Sequence, residues 1–169
     1  AHPEALVQTE SAYQRLPLHC ACRKHADPQV IALLTQGNET ACVTADSLGR
    51  LPLHYALSNG ADANVVTILM QAAPASARGV DQRGWTPLHV ACSMGASAQV
   101  VQAILPAYPG ALLIKTRKGS SIMRCIPKTC PHRSQLQRIL SEAQRQVEAC
   151  VSLPRMKKKH LNMEDVVYV

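Results

Sequence analysis

The amino-acid sequence predicts an α fold, a helical repeat solenoid of stacked helix–turn–helix units joined by short β-turn loops. The first observation is a Pro-Leu-His segment that recurs every 35 residues, beginning at Pro17, Pro52 and Pro87. The second is an apolar pattern with helical spacing that follows each copy. The third is composition, since the 169 residues include no phenylalanine and one tryptophan. The interior must therefore be built from small aliphatic residues, which favour closely packed helices over a broad sheet.

The first helix of each unit is predicted to begin at the repeated proline. Proline is tolerated there because its missing N–H has no helical partner in the first turn. We expect these helices to end near Lys24, Gly60 and Gly95, and glycine at the last two positions suits a left-handed C-cap. The turn before each later unit contains a glycine with the same spacing: Gly49, Gly84 and Gly119.

A second helix is predicted from a Val-Val-x-x-Leu pattern, whose apolar positions fall on one helical face. The matching residues are Val30, Ile31 and Leu34, then Val65, Val66 and Leu69, then Val100, Val101 and Ile104. The segments that come next, residues 71–84 and 106–119, are rich in proline and glycine. We expect them to be non-helical and to end in turn-like tips.

The predicted units occupy about residues 13–47, 48–82 and 83–117, with a degenerate fourth unit at 118–153. In the fourth unit Ile122 and Arg124 stand in the proline and histidine positions. Residues 1–12 are expected to be the tail of a preceding unit, because "AHPEA" resembles "AAPAS" and "AYPGA" further along. The chain is therefore expected to be cut from a longer array.

The fourth unit is predicted to close the stack with a long amphipathic helix, as a terminal repeat must. The apolar residues on one face of this helix are Leu136, Ile139, Leu140, Ala143, Val147, Cys150 and Val151. Pro154 is expected to stop the helix, and residues 154–169 are expected to form a basic, flexible tail.

The stretch "DQRGWTPLHVAC" at residues 81–92 resembles the opening of an ankyrin repeat, Asp-x-x-Gly-x-Thr-Pro-Leu-His-x-Ala-Ala/Cys. The resemblance covers about residues 13–140, although the family's usual period is 33 residues and here it is 35. Two positions depart from the family pattern. Leu16 and Leu51 replace the threonine that is Thr86 in the third unit, and each missing side-chain cap is expected to cost about 1 kcal/mol. Gln14 replaces the usual glycine of the opening turn.

The three histidines of the repeated segment, His19, His54 and His89, are interpreted as structural. Ligand nitrogens around one zinc ion lie about 2.0–2.1 Å from the metal and so roughly 3.5 Å apart. Equivalent side chains on stacked helices are separated by roughly 8–10 Å. The ankyrin resemblance implies that each histidine instead hydrogen-bonds to the backbone of the loop between neighbouring units.

The seven cysteines are an odd number without the dense spacing of a disulfide scaffold, so we expect reduced and mostly buried thiols. The cluster of Cys20, Cys22 and His25 is explained by the repeat. A second cluster, Cys125, Cys130 and His132, is not, and a metal or redox role stays open for it. No catalytic or phosphate-binding motif is present, so the sequence predicts no enzyme activity, no cofactor and no metal.

The charge is concentrated in the C-terminal third. Up to Ile114 six basic residues face seven acidic ones, which gives −1, whereas from Lys115 onward twelve face four, which gives +8. No apolar run approaches the roughly 18 residues that span a bilayer, and no signal peptide is evident. The sequence therefore predicts no transmembrane segment and an intracellular location, cytoplasmic or nuclear.

The predicted binding surface is the concave face where the loop tips line up with the first helices. Positions that differ between units are the candidates, because the scaffold does not dictate them. At the tips they are Ser47, Leu48, Arg50, Gln82, Arg83, Trp85, Arg117, Lys118 and Ser120, and on the first helices Arg23, Lys24, Ser58, Asn59, Ser93 and Met94. Trp85 beside Arg83 resembles a binding hot spot, and the alternative is that Trp85 only packs across the loops.

The function predicted from these features is that of a non-enzymatic scaffold that binds another protein. The sequence leaves open the identity of that protein and the oligomeric state of the chain. One alternative is that the basic C-terminal third binds an acidic partner, a nucleic acid or an anionic lipid. Nucleic acid is disfavoured because that region lacks interleaved aromatic residues. Another alternative is a regulatory array within a larger enzyme or channel.

Overall fold

A computed structural model of the chain describes Glu10 and residues 12–152. The α-helices are, in chain order, α1 (Pro17–Arg23), α2 (Pro28–Thr35), α3 (Glu39–Val43), α4 (Pro52–Ser58), α5 (Ala63–Ala72), α6 (Pro87–Ser93), α7 (Ala98–Ile104), α8 (Ile122–Cys125) and α9 (Arg133–Ser152). Of the predicted N-terminal tail at residues 1–12 only Glu10 and residue 12 are described, and the predicted C-terminal tail at 154–169, with Pro154 as the helix stop, lies outside the described residues.

The helices form two layers. The inner helices α1, α4, α6 and α8 contact one another in that order, and the outer helices α2, α5, α7 and α9 do the same. One inner and one outer helix make a unit: α1 with α2, α4 with α5, α6 with α7, and α8 with α9. The predicted helical solenoid is confirmed.

The inner helices α1, α4 and α6 begin at the predicted prolines, and the repeated histidine helps to start each of these three. The first three inner helices have proline at the first helical position. Thr86 Oγ accepts a hydrogen bond from the His89 amide, whereas Leu16 and Leu51 make no side-chain cap, as predicted. At those two starts the backbone N–H of the leucine donates to Nδ1 of the histidine three residues on, at 3.1 Å.

The ends of the inner helices also fall where they were predicted, but the first unit differs in residue type. Gly60 and Gly95 have φ values of 74° and 67°, and the equivalent residue after α1 is His25, with φ 53°. Gln14 likewise takes a left-handed φ of 54°, where Gly84 has 77°. The first unit therefore holds two L side chains in a conformation that favours glycine.

The prediction that residues 71–84 and 106–119 lack helix is wrong. Each contains a 3₁₀ helix, Pro74–Arg78 and Pro109–Leu113, at the position that α3 occupies in the first unit. A further 3₁₀ turn, Leu105–Ala107, continues α7. Proline is compatible with these segments because it stands in the first turn of each.

The apolar core lies between the two layers, and equivalent positions of each unit are buried alike. Leu18, Leu53 and Leu88 on the inner helices are at most 2% exposed, and Ile31, Val66 and Val101 on the outer helices are fully buried. Within the described part of the chain, no helix combines the length and the apolar character needed to cross a membrane.

The helix α9 covers the end of the stack with its apolar residues up to Val147, which is partly buried against the core. Leu136 and Leu140 are fully buried, and α9 packs on α7 and on the 3₁₀ helix Pro109–Leu113. The predicted apolar face does not continue to the end, because Cys150 and Val151 are exposed. The last turns of α9 extend past the units on which it packs.

Candidate protein interface

Neighbouring loop tips are joined by one backbone hydrogen bond at each step. The amide of Ser47 donates to the Tyr13 carbonyl at 2.9 Å, and the amide of Gln82 donates to the Leu48 carbonyl at 3.0 Å. The third bond runs from the Arg117 amide to the Arg83 carbonyl, also at 3.0 Å. The tips therefore form one continuous row along the stack.

The tips of the second, third and fourth units are each shaped by one side chain that accepts backbone hydrogen bonds. Asp46 Oδ1 accepts from the amides of Leu48 and Arg50, both at 2.9 Å. Asp81 Oδ1 accepts from the amides of Arg83 and Trp85, both at 2.8 Å. In the next tip Thr116 stands in this position, and its Oγ1 accepts from the Ser120 amide at 3.1 Å.

Two of the repeated histidines connect neighbouring units as the family resemblance implied. His19 Nε2 donates to the Arg50 carbonyl at 3.0 Å, and His54 Nε2 donates to the Trp85 carbonyl at 3.1 Å. Since Nδ1 of each ring accepts a backbone N–H, the single proton lies on Nε2 and the ring is neutral. Burial lowers the pKa of both histidines, which agrees with this state.

His89 departs from this pattern. Its Nε2 is buried and has no hydrogen-bond partner in the described part of the chain. Burial lowers the pKa of His89, and backbone groups of Ile114 and Ser120 act in the opposite direction without reaching hydrogen-bond geometry. The contact between the third and fourth units is therefore less complete than the two before it.

The junction between the first and second units is filled by a buried cluster around Tyr55. The Tyr55 hydroxyl donates to Asp46 Oδ2 at 2.6 Å and accepts from Arg15 Nε at 3.1 Å. Arg15 is 7% exposed, and its guanidinium lies 5.3 Å from the centre of the Tyr55 ring. The guanidinium of Arg50 lies 5.5 Å from the same ring, and His19 meets it edge-on at 6.0 Å.

The cluster also sets the titration of its members. Burial acts to raise the pKa of the Asp46 carboxyl, but the hydrogen bonds from Tyr55 and from backbone amides outweigh it, so that this pKa is lowered. Burial and the hydrogen bond to Asp46 raise the pKa of Tyr55. The phenol is therefore neutral, and the carboxylate is ionised beside Arg15.

The junction between the second and third units is open. Val90 takes the position that Tyr55 has one unit earlier, and a groove of about 240 Å³ lies beside it. The groove is lined by Arg50, His54, Ser58, Asp81, Arg83, Trp85, Val90, Ser93 and Met94. Arg50 Nε lies 3.8 Å from Asp81 Oδ2, and the Trp85 ring meets His89 edge-on at 6.1 Å. We refer to this feature as the 2/3 groove.

The 2/3 groove brings together six of the residues predicted to bind: Arg50, Ser58, Arg83, Trp85, Ser93 and Met94. Met94 is 54% exposed and Trp85 is half-buried. The hydroxyls of Ser58 and Ser93 donate to the carbonyls of Tyr55 and Val90, so the groove wall they form is less polar than their sequence suggests.

The other predicted residues lie outside the 2/3 groove. Ser47, Leu48, Gln82 and Arg117 belong to the row of tips, where Gln82 Nε2 also donates to the Ser47 carbonyl at 2.8 Å. Asn59 Nδ2 donates to the Arg23 carbonyl at 3.1 Å and so supports the end of α1, beside Lys24. Lys118 and Ser120 lie in the tip of the fourth unit.

Three residues that line the 2/3 groove were not predicted from the sequence: His54, Asp81 and Val90. His54 and Asp81 were assigned to the scaffold because they recur in other units. They do belong to the scaffold, and they also line the 2/3 groove. Val90 was overlooked, although the position after the repeated histidine is Cys20, Tyr55 and Val90 in successive units. That variation was the available signal.

The buried cysteines are held as protonated thiols. Burial raises the pKa of Cys22 and Cys92 to about 12 and that of Cys42 to about 11, so these thiols stay protonated. Cys125 and Cys130 are half-buried and His132 is exposed. Across Glu10 and residues 12–152, no three His, Cys, Asp or Glu side chains are grouped so that they could hold a metal ion.

Comparison with known families agrees with the repeat found in the structure. A family model for ankyrin repeats matches residues 18–116 as three copies, which is more than half of the chain. The match contains the whole 2/3 groove. No curated protein matches the chain.

Proposed function

Because the chain belongs to the ankyrin repeat family, we propose that it binds another protein through the 2/3 groove and the adjoining loop tips. Ankyrin repeats are generally protein-interaction scaffolds and are typically not enzymes. The observation that carries the proposal is that six residues not dictated by the scaffold gather in one groove beside the loop tips.

The composition and size of the groove support a protein partner. Tryptophan, methionine and arginine are enriched at protein interfaces, and the groove offers Trp85, Met94, Arg50 and Arg83. Its volume of about 240 Å³ is below the range of about 300–1,000 Å³ that is typical of small-molecule pockets. A protruding side chain of a protein partner suits such a shallow groove.

The test is capture of partners by the wild-type chain and by the double variant Arg83→Ala/Trp85→Ala, read out by mass spectrometry. We expect the affinity for a captured partner to fall about 30-fold or more, because central tryptophan and arginine residues often dominate binding energy. Both substitutions leave the backbone bonds of these residues in place. A thermal melt of each protein shows whether the fold is kept.

The matched control is the double variant Val30→Ala/Leu33→Ala on the outer helix α2. These side chains are 43% and 68% exposed and lie outside the 2/3 groove. We expect this variant to retain the partner. If both double variants retain it with unchanged affinity, the groove is not the binding site.

A second candidate function is attachment to an anionic membrane surface. Lys115, Arg117 and Lys118 around the fourth tip are exposed and make no ion pair with a described residue. Binding to vesicles rich in phosphatidylserine should weaken steeply with salt. The triple variant with glutamine at these positions should lose that binding, and its persistence would exclude this surface.

A further inference from the structure

The 2/3 groove has the shape and chemistry of the site in which the chain holds its own Tyr55. We infer that the 2/3 groove receives a tyrosine side chain of the partner protein. This inference rests on the proposed function and names the feature of the partner that is recognised. It comes from a comparison of two junctions built from the same repeat.

The walls of the two sites correspond position by position, at a spacing of 35 residues. Around Tyr55 they are Arg15, His19, Asp46 and Arg50, and around the 2/3 groove they are Arg50, His54, Asp81 and Trp85. The histidines play the same role, since each donates to the carbonyl of the next tip. Tyr55 itself corresponds to Val90, which lacks both the aromatic ring and the hydroxyl.

The polar groups that hold the Tyr55 hydroxyl are also repeated in the 2/3 groove, where no hydroxyl of a described residue occupies the equivalent place. Asp81 Oδ1 is fixed by two backbone amides, as Asp46 Oδ1 is. Asp46 Oδ2 receives the Tyr55 hydroxyl, but no described residue donates a hydrogen bond to Asp81 Oδ2. Arg50 Nε lies 3.8 Å from that oxygen, as Arg15 Nε lies 3.7 Å from Asp46 Oδ2.

The side chains that line the 2/3 groove favour an aromatic ring. Trp85 offers a ring for edge-on or offset contact, Arg50 a guanidinium for stacking, and Met94 a thioether. An incoming phenol can donate to Asp81 Oδ2 and accept from Arg50 Nε, as Tyr55 does with Asp46 and Arg15. Phenylalanine would cover the Asp81 carboxylate without a hydrogen bond, which is costly.

The same geometry predicts that phosphorylation of the tyrosine prevents entry. The hydroxyl site ends at the Asp81 carboxylate, which is 7% exposed and bound to its own loop. A phosphate placed there brings negative charge against a buried carboxylate and is larger than the hydroxyl it replaces. Recognition is therefore of the unmodified phenol.

The direct test uses the single tryptophan of the sequence, Trp85, as a fluorescent reporter in the groove wall. The full chain is titrated with N-acetyl-tyrosinamide, with excitation where tyrosine does not absorb. We expect saturable quenching, with affinity about tenfold higher than for N-acetyl-phenylalaninamide because of the hydrogen bond to a charged acceptor. Absence of saturation, or equal affinity for the two amides, would overturn the inference. So would binding of the phosphorylated amide as tightly as the tyrosine amide.

A second test introduces a tyrosine of the chain itself into the 2/3 groove. Val90→Tyr should place a ring and hydroxyl where Tyr55 has them one unit earlier, and Val90→Phe is the matched control without the hydroxyl. We expect Val90→Tyr to melt at a higher temperature than Val90→Phe and to lose quenching by the tyrosine amide. If Val90→Tyr is folded and still binds the amide as the wild type does, the groove is not the tyrosine site. The wild-type titration decides the question if Val90→Tyr does not fold.

The tests separate this inference from the proposed function. If the tyrosine amide does not bind but Arg83→Ala/Trp85→Ala still loses its captured partner, the tyrosine inference is wrong and the protein-binding groove stands. If the amide binds but the double variant keeps its partner, the groove accepts a phenol and the proposed function is wrong. In that case the inference also fails, because the bound phenol does not belong to the partner.

Discussion

The junction between the first and second units has Tyr55 where the next junction has Val90, and Arg50 where the next has Trp85. At the first junction the ring and hydroxyl of Tyr55 join Arg15 and Asp46 in a buried cluster. At the second, the corresponding Arg50 and Asp81 line an open groove. A position that varies between repeats thus decides whether a junction is part of the core or a candidate binding site.

The comparison shows why the buried cluster depends on all three of its members. Arg15 and the Asp46 side chain are almost fully buried, and burial of charges is tolerated only with good hydrogen bonds between them. Tyr55 supplies a donor to one and an acceptor to the other. At the second junction Arg50 keeps more contact with solvent, with 29% of its side chain exposed, so the missing tyrosine is less costly.

The largest expected effect comes from making the first junction resemble the second. Tyr55→Val should lower the free energy of unfolding by about 3 kcal/mol, because it removes a buried ring and leaves Arg15 and Asp46 without their shared partner. Val90→Ala, the control at the second junction, should cost about 1 kcal/mol. Urea denaturation of both variants measures the difference, and equal losses would contradict the contrast between the junctions.

The next effect concerns the row of tips that both junctions share. A Cβ on Gly84 would lie 2.8 Å from the Arg117 backbone nitrogen, and its φ is 77°. Gly84→Ala should therefore cost about 2 kcal/mol or more. Gly119 has a similar φ of 73° but open space around it, so Gly119→Ala should cost only about 1 kcal/mol. A cost at Gly119 as large as that at Gly84 would show that tip contacts contribute nothing.

The histidines at the junctions predict a loss of stability in acid. Burial lowers the pKa of His19, His54 and His89 below the ordinary value of 6.5, so the unfolded chain binds protons first as the pH falls. The stability that the neutral histidines contribute should be present above about pH 6.5 and should be lost below it. For each histidine, the free energy of unfolding should fall by about 1.4 kcal/mol for each unit by which folding lowers its pKa. Midpoints of urea denaturation measured from about pH 7.5 down to about pH 5 cover the range in which histidine titrates and test this decline in stability. Midpoints that stay constant would contradict the neutral, buried rings.

The smallest effect is a gain in the first unit, where two L residues take left-handed φ values. His25→Gly should raise stability by about 0.5–1 kcal/mol, because relief of the strain exceeds the entropy cost of glycine. The equivalent positions Gly60 and Gly95 already carry glycine. Thermal melts measure the gain, and a loss on substitution would mean that the His25 side chain makes a stabilising contact.

Much of the fold could be predicted from the sequence because the repeat fixes local conformation. Prolines marked the starts of α1, α4 and α6, and the repeat showed that Gln14 stands in the glycine position of the opening turn, where the structure has a left-handed φ. The 3₁₀ helices were missed because proline was taken as a helix breaker rather than as a first-turn residue. The last turns of α9 were placed on the core because periodicity does not show how far the supporting units extend.

The candidate site was predicted only in part, for a related reason. Variation between units selected Arg50, Arg83, Trp85 and Met94, which the structure brings together in the 2/3 groove. It did not show that the groove exists because Val90 is small, since that depends on side chains from two units packing side by side. The Tyr55 cluster could not be predicted for the same reason, because Arg15 lies 40 residues before Tyr55 in the chain and contacts it only when the two units pack together.

The central claim is that the groove left open beside Val90 is where the partner binds. The most direct measurement is the affinity of a captured partner for wild type and for Val90→Tyr, with the melting temperatures of both proteins recorded. The account predicts that Val90→Tyr is at least as stable as wild type and binds the partner about tenfold or more weakly. A folded Val90→Tyr protein that binds the partner as tightly as wild type would contradict it.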